Sequence, residues 1–197
     1  MVDIVCELVE MPDADILELL RYEYIVSSEA AHTRPVDGAV DKRHPTLHLV
    51  RHLLENIPVK DKSSNGLSPS STKKVASVFS GELPRINPQY ELKQHRYIYT
   101  ALNRGKASFF DGVGKTDMQA GTTAIWEEHR HTPGEPVFVP RPGATEEDDG
   151  VVLVVVFDGN ASTSYLLCLD AKTMTEVARA TVDMPIGLGF HGSHIPT

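Results

Sequence analysis

Apolar and polar positions alternate from Val2 to Val9, which predicts a strand at the start of the chain. Pro12-Asp13-Ala14-Asp15 then opens a segment from Ile16 to Tyr24 that reads as a short helix capped by Asp13 or Asp15. Residues 27–46 carry Ser, Pro, Gly and Asp without a period and read as a loop. Residues 47–58 fit either period. As a helix, His44, His48 and His52 share a face; as a strand, His48, Val50, His52 and Leu54 do. Residues 59–74, rich in Lys, Ser, Asn and Gly, read as a mobile surface loop. From residue 75 the pattern becomes that of β-structure. Strands are expected at Val75–Phe79, Tyr97–Tyr99, Ala107–Phe110, Ala124–Trp126, Val151–Phe157, Tyr165–Asp170 and Thr175–Val182. Turns are expected at Asp111-Gly112, Gly114-Lys115, Ala120-Gly121, Asp158-Gly159-Asn160 and Ala171-Lys172-Thr173. The unbroken β-branched run 151–157 predicts a strand buried on both faces. Short strands at this spacing imply an all-β sandwich, barrel or propeller. A strand, then Leu-Asp-Ala-Lys-Thr, then a strand is the texture of neighbouring strands in a propeller blade.

Composition narrows the field. At 197 residues and 41% hydrophobic, the chain can bury a core. Its net charge of −8, with no basic stripe, argues against a nucleic-acid partner. Cys6 and Cys168 sit in apolar runs, form no C-x-x-C pair and read as small buried residues of a reducing compartment. No apolar run is long enough to span a bilayer, and the first residues do not resemble a signal peptide. These features predict a cytoplasmic protein. The abrupt opening in a strand suggests a chain that begins inside a fold.

Three groups of residues have the chemistry to do more. Glu82 and Glu135 lie beside prolines, in Glu-Leu-Pro and Glu-Pro, where the proline should hold the preceding residue extended. His191 lies among Gly187, Gly189 and Gly192, which let the backbone crowd close to something. A neutral imidazole is a good ligand for iron, zinc or copper, and a carboxylate on its other nitrogen would fix the tautomer. His194 is as good a candidate as His191 by residue type. His44, His48 and His52 form a rival set, since three imidazoles on one helical face can hold zinc; the glutamate of H-E-x-x-H is missing. His129 and His131, in Glu-Glu-His-Arg-His, read as an exposed charged turn. The acidic run 146–149 fits no EF-hand spacing and reads as a solvated turn.

The string from Glu135-Pro-Val-Phe-Val-Pro-Arg-Pro-Gly-Ala, through Glu146-Glu-Asp-Asp-Gly-Val-Val-Leu, Tyr165-Leu-Leu-Cys-Leu-Asp-Ala-Lys-Thr and Glu176-Val-Ala-Arg-Ala, to Phe190-His191-Gly192 resembles the C-terminal end of carotenoid cleavage oxygenases. Gly81-Glu82-Leu83-Pro84-Arg85-Ile86-Asn87 and Trp126 match in order. The likeness is close over 75–192 and gapped over 2–74. It implies that residues 1–197 are the C-terminal blades of a seven-bladed β-propeller with loop insertions. It also implies a ferrous iron, Fe(2+), on the propeller axis, held by four histidines, three of them backed by glutamates. His191 then resembles the last iron ligand, with Glu82 and Glu135 among the outer carboxylates. The other three ligands and the remaining glutamate would lie N-terminal to Met1, in a segment needed to complete the site. The residues after Gly192 depart from the expected ending. The implied reaction is oxidative cleavage of a C=C bond in an apolar polyene, a carotenoid or apocarotenoid, by O2, with possible peripheral membrane contact. A chain carrying one ligand should be inactive alone. The alternatives are a non-catalytic propeller remnant acting as a binding or interaction module, and a zinc protein built on the His44 set.

Overall fold

The computed structural model describes residues 2–11, 48–57, 70–75, 81–104, 106–107 and 109–195. Twelve strands lie in three antiparallel sheets among these residues. The first sheet has the order β1-β2-β3, formed by Val2–Glu10, His48–Ile57 and Ser70–Val75. The second has the order β4-β5-β6-β7: Gly81–Arg85, Tyr97–Leu102, Gly112–Asp117 and Thr122–Trp126. The third runs β12-β11-β10-β8, with β9 also on β10; these are His131–Pro133 (β8), Val137–Pro140 (β9), Gly150–Asp158 (β10), Thr163–Asp170 (β11) and Glu176–Val182 (β12). A 3-10 turn, Pro88–Tyr90, starts at Asn87, whose side chain accepts from the Gln89 N–H. No helix among the described residues is long and apolar enough to cross a membrane.

The middle sheet packs on both of its neighbours. Leu49 of the first sheet meets Ile98 and Met118 of the second region, joined by Val9 and Ile86. On the other side Tyr99, Val113 and Trp126 meet Phe138, Val152, Val154, Val156, Tyr165, Leu167 and Leu169 of the third sheet. Burial of this apolar set is the main driving force holding the sheets together.

The sequence expectations meet the structure unevenly. The strands near 97–99, 124–126, 165–170 and 175–182 are present, and of 47–58 the described residues 48–57 form a strand rather than a helix. The turns at 120–121, 158–160 and 171–173 also form. Expected elements at 16–24 and 27–46 lie outside the described residues, as does Val75–Phe79 beyond Val75. Of the 59–74 loop, residues 59–69 are likewise outside, while 70–74 belong to β3.

Of the strand expected at Ala107–Phe110, the described residues 107, 109 and 110 form none. Asp111 collects the backbone N–H groups of Arg104 and Lys106 and the Arg104 guanidinium, which folds the chain into a bend. Asp111-Gly112 and Gly114-Lys115 are not turns; they lie at or within β6. A Cβ at Gly112 would come 2.9 Å from the Trp126 carbonyl oxygen, and one at Gly114 3.0 Å from Leu102 Cδ2. These glycines mark close approach, not reversal. β10 is not buried on both faces: Val152, Val154 and Val156 are buried, whereas Val155 is exposed and Leu153 half-exposed. Cys6 is exposed and Cys168 only half-buried. His131 is buried, because its Nδ1 bonds the His129 carbonyl at 2.9 Å and its ring meets the edge of Tyr165.

Candidate metal centre

The site begins on β10. β8 and β9 pair with different stretches of that strand, and residues 134–136 cross between them. Gly134 N–H donates to the Val155 carbonyl at 2.8 Å, which fixes the crossing. Glu135 is thereby held in the interior, 8% exposed. The chain after β12 doubles back along β11: Ser164 N–H donates to the Met184 carbonyl at 3.2 Å, and Ile186 N–H donates to Ser164 Oγ at 2.9 Å.

That return brings His191 to Glu135. His191 Nδ1 lies 3.1 Å from Glu135 Oε1, and the Gly192 N–H donates to Oε2 at 2.7 Å. An ionised carboxylate only accepts, so in the neutral ring Nδ1 carries the proton and Nε2 presents its lone pair. The ring itself is exposed, with 79% of its side chain open to solvent. Arg85 closes the arrangement: its Nε is 3.4 Å from Glu135 Oε1, and its Nη2 donates to the Gly192 carbonyl. One carboxylate and one guanidinium thus hold both the ring and the backbone beside it. Arg85 was not singled out from sequence; an arginine after Glu-Leu-Pro gives no sign of its partner fifty residues away.

Beside the pair lies a cleft of about 330 Å³. Val137, Leu153, Val155 and Leu166 supply apolar walls, and His191 and His194 both contribute to its lining. The half-covered face of β10 is therefore one wall of this cleft.

Glu82 sits on β4, half-buried and opposite Ala101 of β5. Burial pushes its carboxyl pKa up, partly offset by the Leu83 N–H. Among the described contacts none joins it to His191 or Glu135, so the structure unites two of the three site residues proposed from sequence. The local backbone also differs from expectation. Leu83, before Pro84, has φ of 53° instead of an extended conformation, and β4 bulges between Glu82 and Arg85. A left-handed leucine is strained, and it re-aims the carboxylate and the guanidinium on either side.

The rival histidine set does not assemble in this way. His48 and His52 lie on β2, and His52 Nε2 bonds Glu10 Oε1 at 2.8 Å. His44 lies outside the described residues. Among the described residues no group of three or more His, Cys, Asp or Glu side chains is placed to hold a metal.

The family model for the retinal pigment epithelial membrane protein, RPE65, matches residues 2–196. The chain belongs to the RPE65/carotenoid cleavage oxygenase family. Family relatives include a carotenoid dioxygenase of Neurospora crassa, 36% identical over 203 residues, covering 100% of this chain and 33% of the relative. A torulene dioxygenase of Fusarium fujikuroi is 45% identical over 153 residues, covering 77% of this chain and 26% of its own. Among solved structures, a Synechocystis apocarotenoid oxygenase variant superposes with a TM-score of 0.74 at 21% identity, over 99% of this chain and 37% of that one. A cobalt-substituted form of the Synechocystis enzyme superposes with a TM-score of 0.66 at 25% identity, over 78% of this chain and 31% of that one. The chain therefore spans about a third of the length of the family members it matches. Its all-β fold is that of part of the apocarotenoid oxygenase.

Proposed function

We propose that this chain supplies an imidazole–carboxylate pair, His191 with Glu135, to the iron centre of a carotenoid dioxygenase, and that its sheets are blades of a propeller. The single observation that carries the reading is the 3.1 Å contact between His191 Nδ1 and Glu135 Oε1, which leaves Nε2 free. The named relatives are a carotenoid dioxygenase and a torulene dioxygenase, which supports oxidative cleavage of a polyene C=C bond by O2 into two carbonyl products as the proposed reaction. When bound, ferrous iron would supply the oxygen chemistry.

The donor set suits such an ion in kind, though one imidazole is only part of a stable site. The residues of this chain have definite tasks. Glu135 keeps the His191 proton on Nδ1 and places negative charge behind the ring. Arg85 and Gly192 N–H stop the carboxylate from turning away. Val137, Leu153, Val155 and Leu166 give the approach an apolar wall that favours a polyene over water. Glu82 is proposed as a second outer carboxylate, serving an imidazole beyond the described residues. Its raised pKa reflects burial, and a cationic or N–H partner would lower it again.

Iron titration of the chain, followed by a polyene-cleavage assay, tests the reading. The expected result is weak ferrous binding that His191→Ala abolishes, with no turnover. Ferrous binding indifferent to His191→Ala, or stoichiometric iron with turnover by this chain alone, would overturn it.

A further inference from the structure

The register of the second sheet carries an irregularity that bears on the site. Glu82 of β4 pairs with Ala101 of β5, and Arg85 pairs with Tyr99. The step from 82 to 85 on β4 thus matches the shorter step from 101 to 99 on β5, so an extra residue is inserted at Leu83-Pro84. In an unbroken strand residues 82 and 85 would point to opposite faces. Here both stand opposite residues of one face. That face packs on the third sheet, where the Tyr99 ring lies 5.4 Å from that of Phe138 on β9, the strand that follows Glu135. Ile86 agrees with this phase: it packs with Leu49, Ile98 and Met118 on the opposite side.

We propose that Leu83 is a positioning residue for the His191–Glu135 pair: its left-handed backbone supplies the bulge that turns Arg85, together with Glu82, towards the third sheet. Leu83 has φ of 53°, and Pro84 follows it. Side-chain sterics disfavour that φ, and a proline favours extended backbone before it. Among the described residues no other left-handed non-glycine residue precedes a proline. Such strain persists only where the surroundings hold it. The Leu83 N–H bonds the Glu82 carboxylate, and beyond the bulge Arg85 is tied to Glu135 and the Gly192 carbonyl. Pro84 is exposed and, having no N–H, takes the extra position without loss to the ladder. Without the bulge, a Glu82 facing the third sheet would leave Arg85 facing the first. The His191–Glu135 contact would then lose the guanidinium behind it.

The inference rests on the pairing of His191 with Glu135, and its test needs no metal. Nitrogen NMR of the His191 ring reads the outcome. Leu83→Gly and Leu83→Asn, which tolerate positive φ, should leave the Nδ1–H tautomer dominant. Leu83→Ile, whose branched side chain fits that backbone worst, should shift the ring as far as Arg85→Ala does. Added to Arg85→Ala, Leu83→Ile should shift it no further, because both act through one guanidinium. The unsubstituted chain guards against misfolded variants. It should show a strong NOE between the Leu83 amide and α hydrogens, the mark of positive φ, and NOEs between Ile86 and Ile98. Absence of either would overturn the proposal. So would a ring spectrum that ignores Leu83→Ile in folded protein, or shifts that add in the double variant. Ring spectra that follow Leu83 while ferrous binding ignores His191→Ala would leave the positioning role standing and overturn the metal assignment alone.

Discussion

A carboxylate with three partners decides where the His191 ring points. Glu135 accepts from the ring and from Gly192 N–H, while Arg85 touches both Glu135 and the Gly192 carbonyl. Glu135→Gln removes the charge and lets the amide donate or accept. Nitrogen NMR of the His191 ring should then show the Nδ1–H tautomer losing its dominance, with Arg85→Ala giving a smaller change in the same direction. Tyr165 makes the opposite point. It is 2% exposed, and its hydroxyl has no partner among the described residues. An unpaired buried hydroxyl costs about 1–3 kcal/mol, so Tyr165→Phe should leave stability unchanged or raise it in urea unfolding. The candidate site and the buried polar residues around it were partly legible in the sequence. Glu135 and His191 stand out through their proline and glycine neighbours. Arg85 and buried His131 do not, because both sit in charged or polar strings whose tertiary partners no local pattern marks.

Along β10 and β11, one face is core and the other is cleft. Leu167 is fully buried while its neighbour Leu166 is 42% exposed. Leu167→Ala should cost about 2–5 kcal/mol in chemical unfolding. Leu166→Ala should cost under about 0.5 kcal/mol. The strand at 151–157 was readable because valines dominate it, that at 165–170 because it is a short apolar run, and Asp-Gly-Asn divides the two. The burial of 151–157 was not, since a face left half-covered for a cleft is as apolar as a face in the core. β6 hid because its glycines imitate a turn, and their role depends on Leu102 and Trp126 from adjacent strands. The aromatic pair at 109–110 looked like strand, but Asp111 bends the chain by gathering nearby N–H groups.

Across the molecule, the first sheet is tied to the second by a charged joint as well as by Leu49. Glu7 of β1 contacts Arg51, and lies 3.1 Å from His95 Nε2 just before β5. Burial would raise the Glu7 pKa, yet the bonds from His95 and Arg51 outweigh it and hold the group below its ordinary 4.5. The Glu7 bond lifts His95 above its ordinary 6.5 against the opposing effect of burial. The sign follows for each. Glu7 stabilises the fold above pH 4.5 and loses that contribution as pH falls through its lowered pKa. His95 stabilises below pH 6.5 and loses its contribution as pH rises through its raised pKa. Urea midpoints should therefore peak between pH 4.5 and 6.5, and His95→Ala should flatten the alkaline limb. The segment from 183 to 195 has no strand of its own. The His191 imidazole inherits its position from the crossing between β8 and β9, through Glu135 and the Arg85 guanidinium. The spacer is thus tethered twice, at Ser164 by Met184 and Ile186 and at Glu135 by the His-Gly pair, so the span between those moorings sets the length it can have.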